Sequence, residues 1–226
     1  MKLTELFLDS FFKILLPGLL KTIPLTIISF SFALLIGTVV ALIQFADIKY
    51  LKGLCRFYIW IVRGTPLLVQ LFIVFYGLPS IGIVLDPFPA AIIVFSINEG
   101  AYSAETIRGA LHSVSKGQIE AGYCVGMNFI QIMWHIVLPQ AFKVAFPSLS
   151  NSIISMCKDT SLASNITVME MLMKTKQLVA VYYQPLLLYC EVGLIYLIFS
   201  TVLTRLQAIV ERKLKVGENK WLSLQI

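Results

Sequence analysis

From Thr22 to Ala46 the chain carries no charged side chain, and the same is true from Gly64 to Leu85 and from Ala121 to Phe142. A helix needs roughly 20 mostly apolar residues to cross a bilayer, and inside lipid only helices or closed barrels satisfy their own backbone polar groups. Shorter uncharged runs follow at Val144–Cys157 and at Gln177–Cys190, the latter resuming after Glu191 and reaching Thr204. Only 13% of the 226 residues are charged and 58% are hydrophobic, against about 25% charged in a soluble domain. These features predict an all-α integral membrane protein with five transmembrane helices, at about Ile23–Ile43, Phe57–Leu78, Phe88–Ile107, Gln140–Cys157 and Pro185–Ala208. That leaves no room for a second soluble domain.

The remaining segments are assigned around these spans. Residues 1–21 place Leu3, Leu6, Phe7, Phe11, Ile14 and Leu15 on one side at helical spacing, which predicts an amphipathic interfacial helix ended by Pro17-Gly18. The acids Glu5 and Asp9, with no small-residue cleavage pattern after them, argue against a secretory signal peptide. Residues 22–212 form the transmembrane domain and 213–226 a cytoplasmic tail. Ala121–Phe142 is long enough to span, yet it contains Gly122, Gly126, Asn128, Gln131, His135 and Pro139. Such polar content is costly in hydrocarbon, so the segment from 108 to 139 is expected to be an interfacial loop with short helices. Pro139 would then open span 4, where its missing N–H costs nothing.

Net charge is +6, which in a membrane chain points to basic cytoplasmic loops rather than to nucleic acid. Placing Asp47–Arg56, the 108–137 loop and the C-terminus inside puts most of the 18 lysines and arginines there. Lys2, Lys13, Lys21, Lys158, Lys174 and Lys176 remain outside. The expected orientation is therefore N-terminus out and C-terminus in. The four cysteines are scattered without a C-x-x-C pair, and neither a metal site nor a disulfide framework is expected. His112 and His135 lack metal-ligand spacing and read as interfacial polar groups.

Four motifs carry a resemblance. Glu120-Ala121-Gly122, then Gly126, then Ile136-Val137-Leu138-Pro139 match the E-A-A…G…I-x-L-P spacing of the coupling loop in ABC-importer permeases, with Gly122 in place of the second alanine and Ser115 where many relatives have proline. Arg63-Gly64-Thr65-Pro66, continuing to Val69-Gln70, resembles the R-G-T-P-x-x-V-Q signature of the polar-amino-acid branch. Ala101-Tyr102-Ser103-Ala104-Glu105 through Arg108-Gly109 resembles A-Y-x-A-E-x-x-R-G, and Lys158-Asp159-Thr160-Ser161-Leu162 matches K-D-T-S-L. Over roughly residues 20–212 the chain thus looks like a permease subunit of a histidine/glutamine/arginine/cystine-type ABC importer.

The resemblance implies a type I importer permease fold with a cytoplasmic coupling helix. It also implies partners: a cytoplasmic ABC ATPase dimer, a second permease subunit of the same or a related sequence, and an extracytoplasmic amino-acid-binding protein. The setting it implies is a bacterial inner membrane, and no nucleic acid is expected. No G-x-x-x-x-G-K-[ST] occurs, so ATP and Mg belong to the partner ATPase and the chain is expected to be neither an enzyme nor a cofactor carrier. The coupling surface is assigned to Gly117, Ile119, Glu120, Ala121, Gly122, Tyr123 and Gly126. In it Ile119, Glu120, Tyr123 and Val125 project into a groove of the ATPase and Gly126 permits a sharp turn.

Polar groups inside the membrane are expensive and mark candidate paths. In span 3, Asn98, Tyr102 and Glu105 share a helical face and Glu99 adds an acid. Lys158, Asp159, Thr160 and Ser161 lie about 20 residues past Pro139, ~30 Å along a helix and so near the outer face. These residues form the candidate substrate path, although Lys158-Asp159 read equally well as a charged helix end. Arg63, Thr65, Pro66, Glu105 and Arg108 are assigned structural or gating roles, with Glu105 and Arg108 free to pair with each other or with Arg63. Glu191 is open to either reading. The alternative class is an ion-gradient-driven secondary amino-acid transporter, in which the coupling-loop spacing would have no role.

Overall fold

A computed structural model describes residues 3–222, with side chains described from Glu5 to Leu214. Every regular element among them is helical: α1 Leu3–Pro17, α2 Ile23–Phe45, α3 Lys49–Arg63, α4 Leu67–Phe72, α5 Pro87–His112, α6 Lys116–Cys124, α7 Phe129–Ile132, α8 Leu138–Asp159, α9 Met171–Tyr182 and α10 Pro185–Leu222. Three of the described stretches are long and apolar enough to cross a bilayer unbroken: Glu5–Phe45 of 41 residues, Phe129–Ile166 of 38 and Pro185–Leu214 of 30. Lys49–Arg63 and Leu67–Ile81 qualify together, but with a 101° turn between them.

Two of the expected boundaries change for one physical reason. Proline lacks an N–H, and its ring collides with the carbonyl four residues back. Here the turn ahead of three prolines widens into a π-turn, at Gly18–Thr22, Ile73–Gly77 and Met133–Val137. The residue just before each proline donates to the carbonyl five back: Ile23 to Gly18, Leu78 to Ile73 and Leu138 to Met133. Pro24, Pro79 and Pro139 thereby sit in or beside helices without ending them. The helix of residues 1–21 is consequently not terminated at Pro17-Gly18 but runs on into α2. Span 4 does not begin at Pro139, because its helix starts at Phe129. That start is set by Asn128, whose Oδ1 accepts from Gln131 N at 2.9 Å while Gln131 Oε1 accepts from Asn128 N at 2.9 Å, a reciprocal capping box.

The second expected span, Phe57–Leu78, is not continuous either, since Gly64-Thr65-Pro66 breaks it. Residues before proline avoid helical geometry, and Pro66 itself is extended at ψ 138°. The third span is α5. It carries Asn98, Glu99, Glu105 and Arg108 and is too polar to stand among the long apolar stretches. It is tolerated because it lies at the centre of the bundle, with Ala90, Ala91, Val94, Phe95, Ala101 and Ala104 all buried.

The α2–α5 crossing is the packing axis of the molecule. Ala33, Gly37 and Ala41 of α2 recur every fourth residue and are buried, as are Ser96, Gly100 and Ala104 of α5. Lipid gives helices no hydrophobic reason to associate, so close backbone approach through small residues supplies the dispersion contacts instead. The approach is tight enough that a Cβ on Gly37 would lie 2.8 Å from Ser103 Cβ and 3.0 Å from Ala104 N. Ser96 Oγ reaches both Ser29 O, at 3.2 Å, and Ile92 O, at 2.6 Å.

A second cluster joins α1, α9 and α10 through Ile14, Met171, Leu178, Leu188, Val192 and Ile195. Two buried acids serve this cluster. Glu191 Oε2 lies 2.7 Å from Ser10 Oγ, so Glu191 ties the last long helix to the first. Glu170 is the N-cap of α9: it accepts from Leu172 N at 2.8 Å, Met173 N at 2.7 Å and Tyr196 Oη at 2.9 Å. Burial pushes its carboxyl up from the ordinary carboxylate range, and the two amides and Tyr196 pull the other way. Glu170→Ala would strand three partly buried donors, at about 1 kcal/mol or more each. A loss of ~3 kcal/mol or more in detergent unfolding is expected, with Glu170→Gln costing less because it keeps one acceptor oxygen.

Candidate functional site

Two regions gather the residues singled out in the sequence. The first is the hairpin of α6 and α7. α6 begins after Ser115, in extended conformation at ψ 132°, and ends at Gly126, whose φ of +81° is a left-handed geometry natural to glycine. Met127 N returns to Gly122 O at 3.0 Å and closes the turn. Gly122 is buried against α7: a Cβ there would fall 2.9 Å from Ile132 Cγ1. The replacement of the usual alanine thus matches a bulky isoleucine opposite. Gln140 Nε2 donates to Gln118 Oε1 at 2.6 Å and fastens α6 to the start of α8.

The faces of α6 then separate. Ile119 is half-buried and packs onto the cluster of Ala110, Leu111, Ile132 and Val137. It anchors the helix instead of projecting from it, contrary to expectation. Gly117, Glu120, Ala121, Tyr123 and Val125 are exposed. Among the described residues Glu120 has no hydrogen bond or ion pair.

The second region surrounds the break between α3 and α4. Thr65 Oγ1 donates to Ile61 O at 2.9 Å. Gln70 Nε2 points back across the break to Val62 O at 2.8 Å and Thr65 Oγ1 at 2.8 Å, while its Oε1 accepts from Asn98 Nδ2 at 3.0 Å. One carboxamide therefore holds the 101° turn and locks it to α5. In the sequence Gln70 has no role beyond its place in the R-G-T-P-x-x-V-Q pattern; the available signal is a polar residue four positions past Pro66. Gln70→Leu would leave Asn98 and the Val62 carbonyl without that partner. We expect at least a tenfold loss of transport, measured in vesicles at matched permease content, because the geometry of the turn is released.

Around it, Arg63 Cζ lies 5.1 Å over the Tyr102 ring, a cation–π contact. Glu105 and Arg108 form a two-point pair at 3.1 and 2.9 Å. Of the two pairings open to Glu105, that with Arg108 is the one formed, and Arg63 makes no ion pair among the described residues. Glu99 accepts from Ser103 Oγ at 3.1 Å. It faces Ser152 of α8, with Asp159 within electrostatic reach. Asn98, Glu99 and Tyr102 thus form a polar strip along α5, with Asn98 and Tyr102 turned to the α3–α4 break and Asp159 of α8 within reach of Glu99.

Lys158 and Asp159 are exposed at the end of α8, and Ser161 is half-buried. Thr160 is not on the strip. It is fully buried and its Oγ1 caps Cys157 O at 2.7 Å, so its role is to terminate α8.

Helices of this length around a polar strip, with a short exposed hairpin at one end, are the architecture of a transport subunit. The family model for the inner-membrane component of binding-protein-dependent transport systems matches residues 33–216, and the chain belongs to that family. It is 46% identical over 211 residues to the L-cystine transport system permease protein TcyB of Bacillus subtilis (strain 168), covering 93% of this chain and 90% of that one. It is 36% identical to the nopaline transport system permease protein NocM of Agrobacterium fabrum (strain C58 / ATCC 33970), covering 92% and 90%. The crystal structure of an amino acid ABC transporter with histidines superposes with a TM-score of 0.82 at 32% identity, covering 94% and 95% of the two chains. The MetNI methionine ABC transporter shares the fold, with a TM-score of 0.75 at 18% identity over 89% and 96%. The chain is an amino-acid ABC transporter permease of type I importer fold, a membrane component and not an enzyme.

Proposed function

We propose that this chain pairs with a second permease, itself or a related subunit, to enclose a path for a polar amino acid. The pair is driven by two cytoplasmic ATPases docked on α6. The observation that carries the coupling assignment is the exposed Glu120, Tyr123 and Val125 on a helix whose other face is anchored. In this reading ATP and Mg sit in the ATPases, and ATP binding draws the two α6 hairpins together. Energy enters because the ATPase pair binds ATP more tightly in one state of the path than in the other. An external binding protein delivers substrate at the Asp159 end. The N-terminus lies outside and the C-terminus inside, in a bacterial inner membrane.

The strip of Asn98, Glu99 and Tyr102, together with Asp159, supplies acceptors for an α-ammonium group. Lys158 and Ser161, at the mouth, offer donors for a carboxylate. Arg63, Thr65, Pro66, Glu105 and Arg108 hold the break that borders the path. L-Cystine is the first substrate to try, given the likeness to TcyB.

The test is uptake of radiolabelled cystine, arginine and glutamine into proteoliposomes holding this chain and its cognate ATPase. ATP is supplied on the ATPase side and the binding protein on the other. ATP-dependent accumulation of one amino acid is expected. Uptake that ignores ATP and follows a sodium or proton gradient would overturn the proposal.

A further inference from the structure

At the end of the bundle that carries α6, the ends of α2, α3 and α5 line a pocket of about 520 Å³, and its Gln44, Lys52, Arg56 and His112 have no part in the proposed path. Its wall holds three cations, Lys52, Arg56 and Arg108, and two acids, Asp47 and Glu105. Each acid is already engaged: Asp47 by Lys52, and Glu105 by Arg108 at 2.9 Å. Arg56 is exposed and within electrostatic reach of Asp47 but makes no hydrogen bond or ion pair among the described residues, and with three cations against two acids the wall carries one positive charge in excess. Two further groups point to an anion. His112 lines the wall with its ring tilted 53° against Phe45, the centroids 5.3 Å apart. Gln44, also in the wall, is 8% exposed and its Nε2 has no partner, a rarity for a buried amide.

α3 says what kind of anion. Lys49, Lys52, Arg56 and Arg63 fall at one helical spacing, and Cys55, Ile59 and Val62 face inward. Between these faces Tyr50, Leu54, Phe57 and Trp60 are strongly exposed, Trp60 at 69%. A helix with basic, buried and exposed aromatic-aliphatic faces lies where acyl chains meet headgroups. A free anion would use only the charged pocket, whereas a phospholipid would use the pocket and the apolar band beside it.

We propose that this pocket holds the phosphodiester of an anionic phospholipid, with Arg56 as its principal donor and the acyl chains lying along Tyr50, Leu54, Phe57 and Trp60. A phosphodiester carries one negative charge, equal to the uncompensated charge of the wall. A guanidinium presents two parallel N–H groups to two phosphate oxygens, which a lysine cannot do. The site is separate from the substrate strip and does not depend on which amino acid is carried.

Native mass spectrometry of the detergent-purified permease–ATPase complex, titrated with phosphatidylglycerol or phosphatidylcholine, tests it without reference to transport. Retention of phosphatidylglycerol over phosphatidylcholine is expected in the unmodified complex. Arg56→Gln should weaken that retention about tenfold, the scale of one charge-assisted contact. Arg56→Lys should recover part of it, which separates charge recognition from misfolding. Excess inorganic phosphate should not displace the lipid. Equal retention of the two lipids, or an unchanged preference in Arg56→Gln, overturns the proposal. Displacement by inorganic phosphate overturns it in favour of a free-phosphate site. Loss of the ATPase from Arg56→Gln with lipid retention intact overturns it by placing Arg56 at the subunit interface.

Discussion

Glu120→Lys is expected to abolish ATP-driven uptake while leaving the permease inserted and folded. The side chain is exposed on α6 and forms no hydrogen bond or ion pair among the described residues, so its loss removes nothing the described bundle needs. Its surroundings on the exposed face are Tyr123 and Val125, 51% and 77% exposed, with Lys116 at the start of the same helix. A groove built to receive that face would present a positive group to Glu120, and a lysine there turns attraction into like-charge repulsion. Transport should fall by well over tenfold, and the ATPase should be depleted from the purified complex. Glu120→Gln, which removes charge without reversing it, should give an intermediate loss. The control is the detergent melting temperature of the permease alone, expected to be unchanged because exposed substitutions away from special features usually stay within ±0.5 kcal/mol. Full co-purification and normal uptake with Glu120→Lys would remove α6 from the coupling role.

How legible all this was differs from element to element. The uncharged run Thr22–Ala46 coincides with α2, since the bilayer requirement acts on composition directly, whereas Gly64–Leu85 opens on a break and Ala121–Phe142 takes in the end of α6, α7 and the start of α8. The ends of those helices were less readable. Pro139 looked like a helix start, yet the turn of Met133–Val137 widens to accommodate it. The actual start was encoded in Asn128-Phe129-Ile130-Gln131, a capping pattern short enough to be overlooked beside a proline. Pro24 and Pro79 show the same accommodation, so three prolines that punctuate the sequence do not punctuate the fold. Gly64-Thr65-Pro66 is the opposite case. There the break is real, because Gln70 donates to the freed Val62 carbonyl and makes the open geometry stable. A π-turn and a broken helix are both legitimate answers to proline, and only the neighbours decide between them.

The site residues divided along similar lines. Gly126 was readable because a left-handed turn has few alternatives to glycine. Spacing alone leaves the orientation of a nine-residue helix undetermined, and so an outward Ile119 is as legible as an inward one; its packing on Ala110 and Ile132 turns it inward. Adjacency in sequence groups Thr160 with Asp159 and Ser161, but a helix end turns successive side chains by about 100° and sends one of them inward. The pocket of Arg56 and Gln44 had no signature in sequence at all, because its parts come from three helices separated by dozens of positions.

The α2–α5 crossing supplies the sharpest test of what holds the bundle together. Gly37→Leu would put a branched side chain where even a Cβ lies 2.8 Å from Ser103 Cβ and 3.0 Å from the backbone N of Ala104. The backbone contact cannot be relieved by a rotamer change, so the helices themselves must separate. Separation would withdraw Ala33 from Ala91, Val94 and Phe95 and Ala41 from Ala110 and Leu111, and would pull Ser96 from Ser29 O. Overpacking of a soluble core costs about 1–3 kcal/mol, and here the loss of helix–helix dispersion along the crossing is added to it. Complete loss of the folded permease is therefore expected, read as failure to yield a monodisperse complex in detergent. Gly37→Ala should be tolerated only partly, with a lowered melting temperature, because a single methyl still meets Ser103 inside van der Waals distance. The paired replacement Gly37→Ala with Ser103→Gly should recover stability beyond the sum of the two single effects, since residues in contact are not additive. If Gly37→Leu instead gave a stable, active transporter, the two helices would not be in close contact in the membrane. The polar strip of α5 would then need another support to stay at the centre of the bundle.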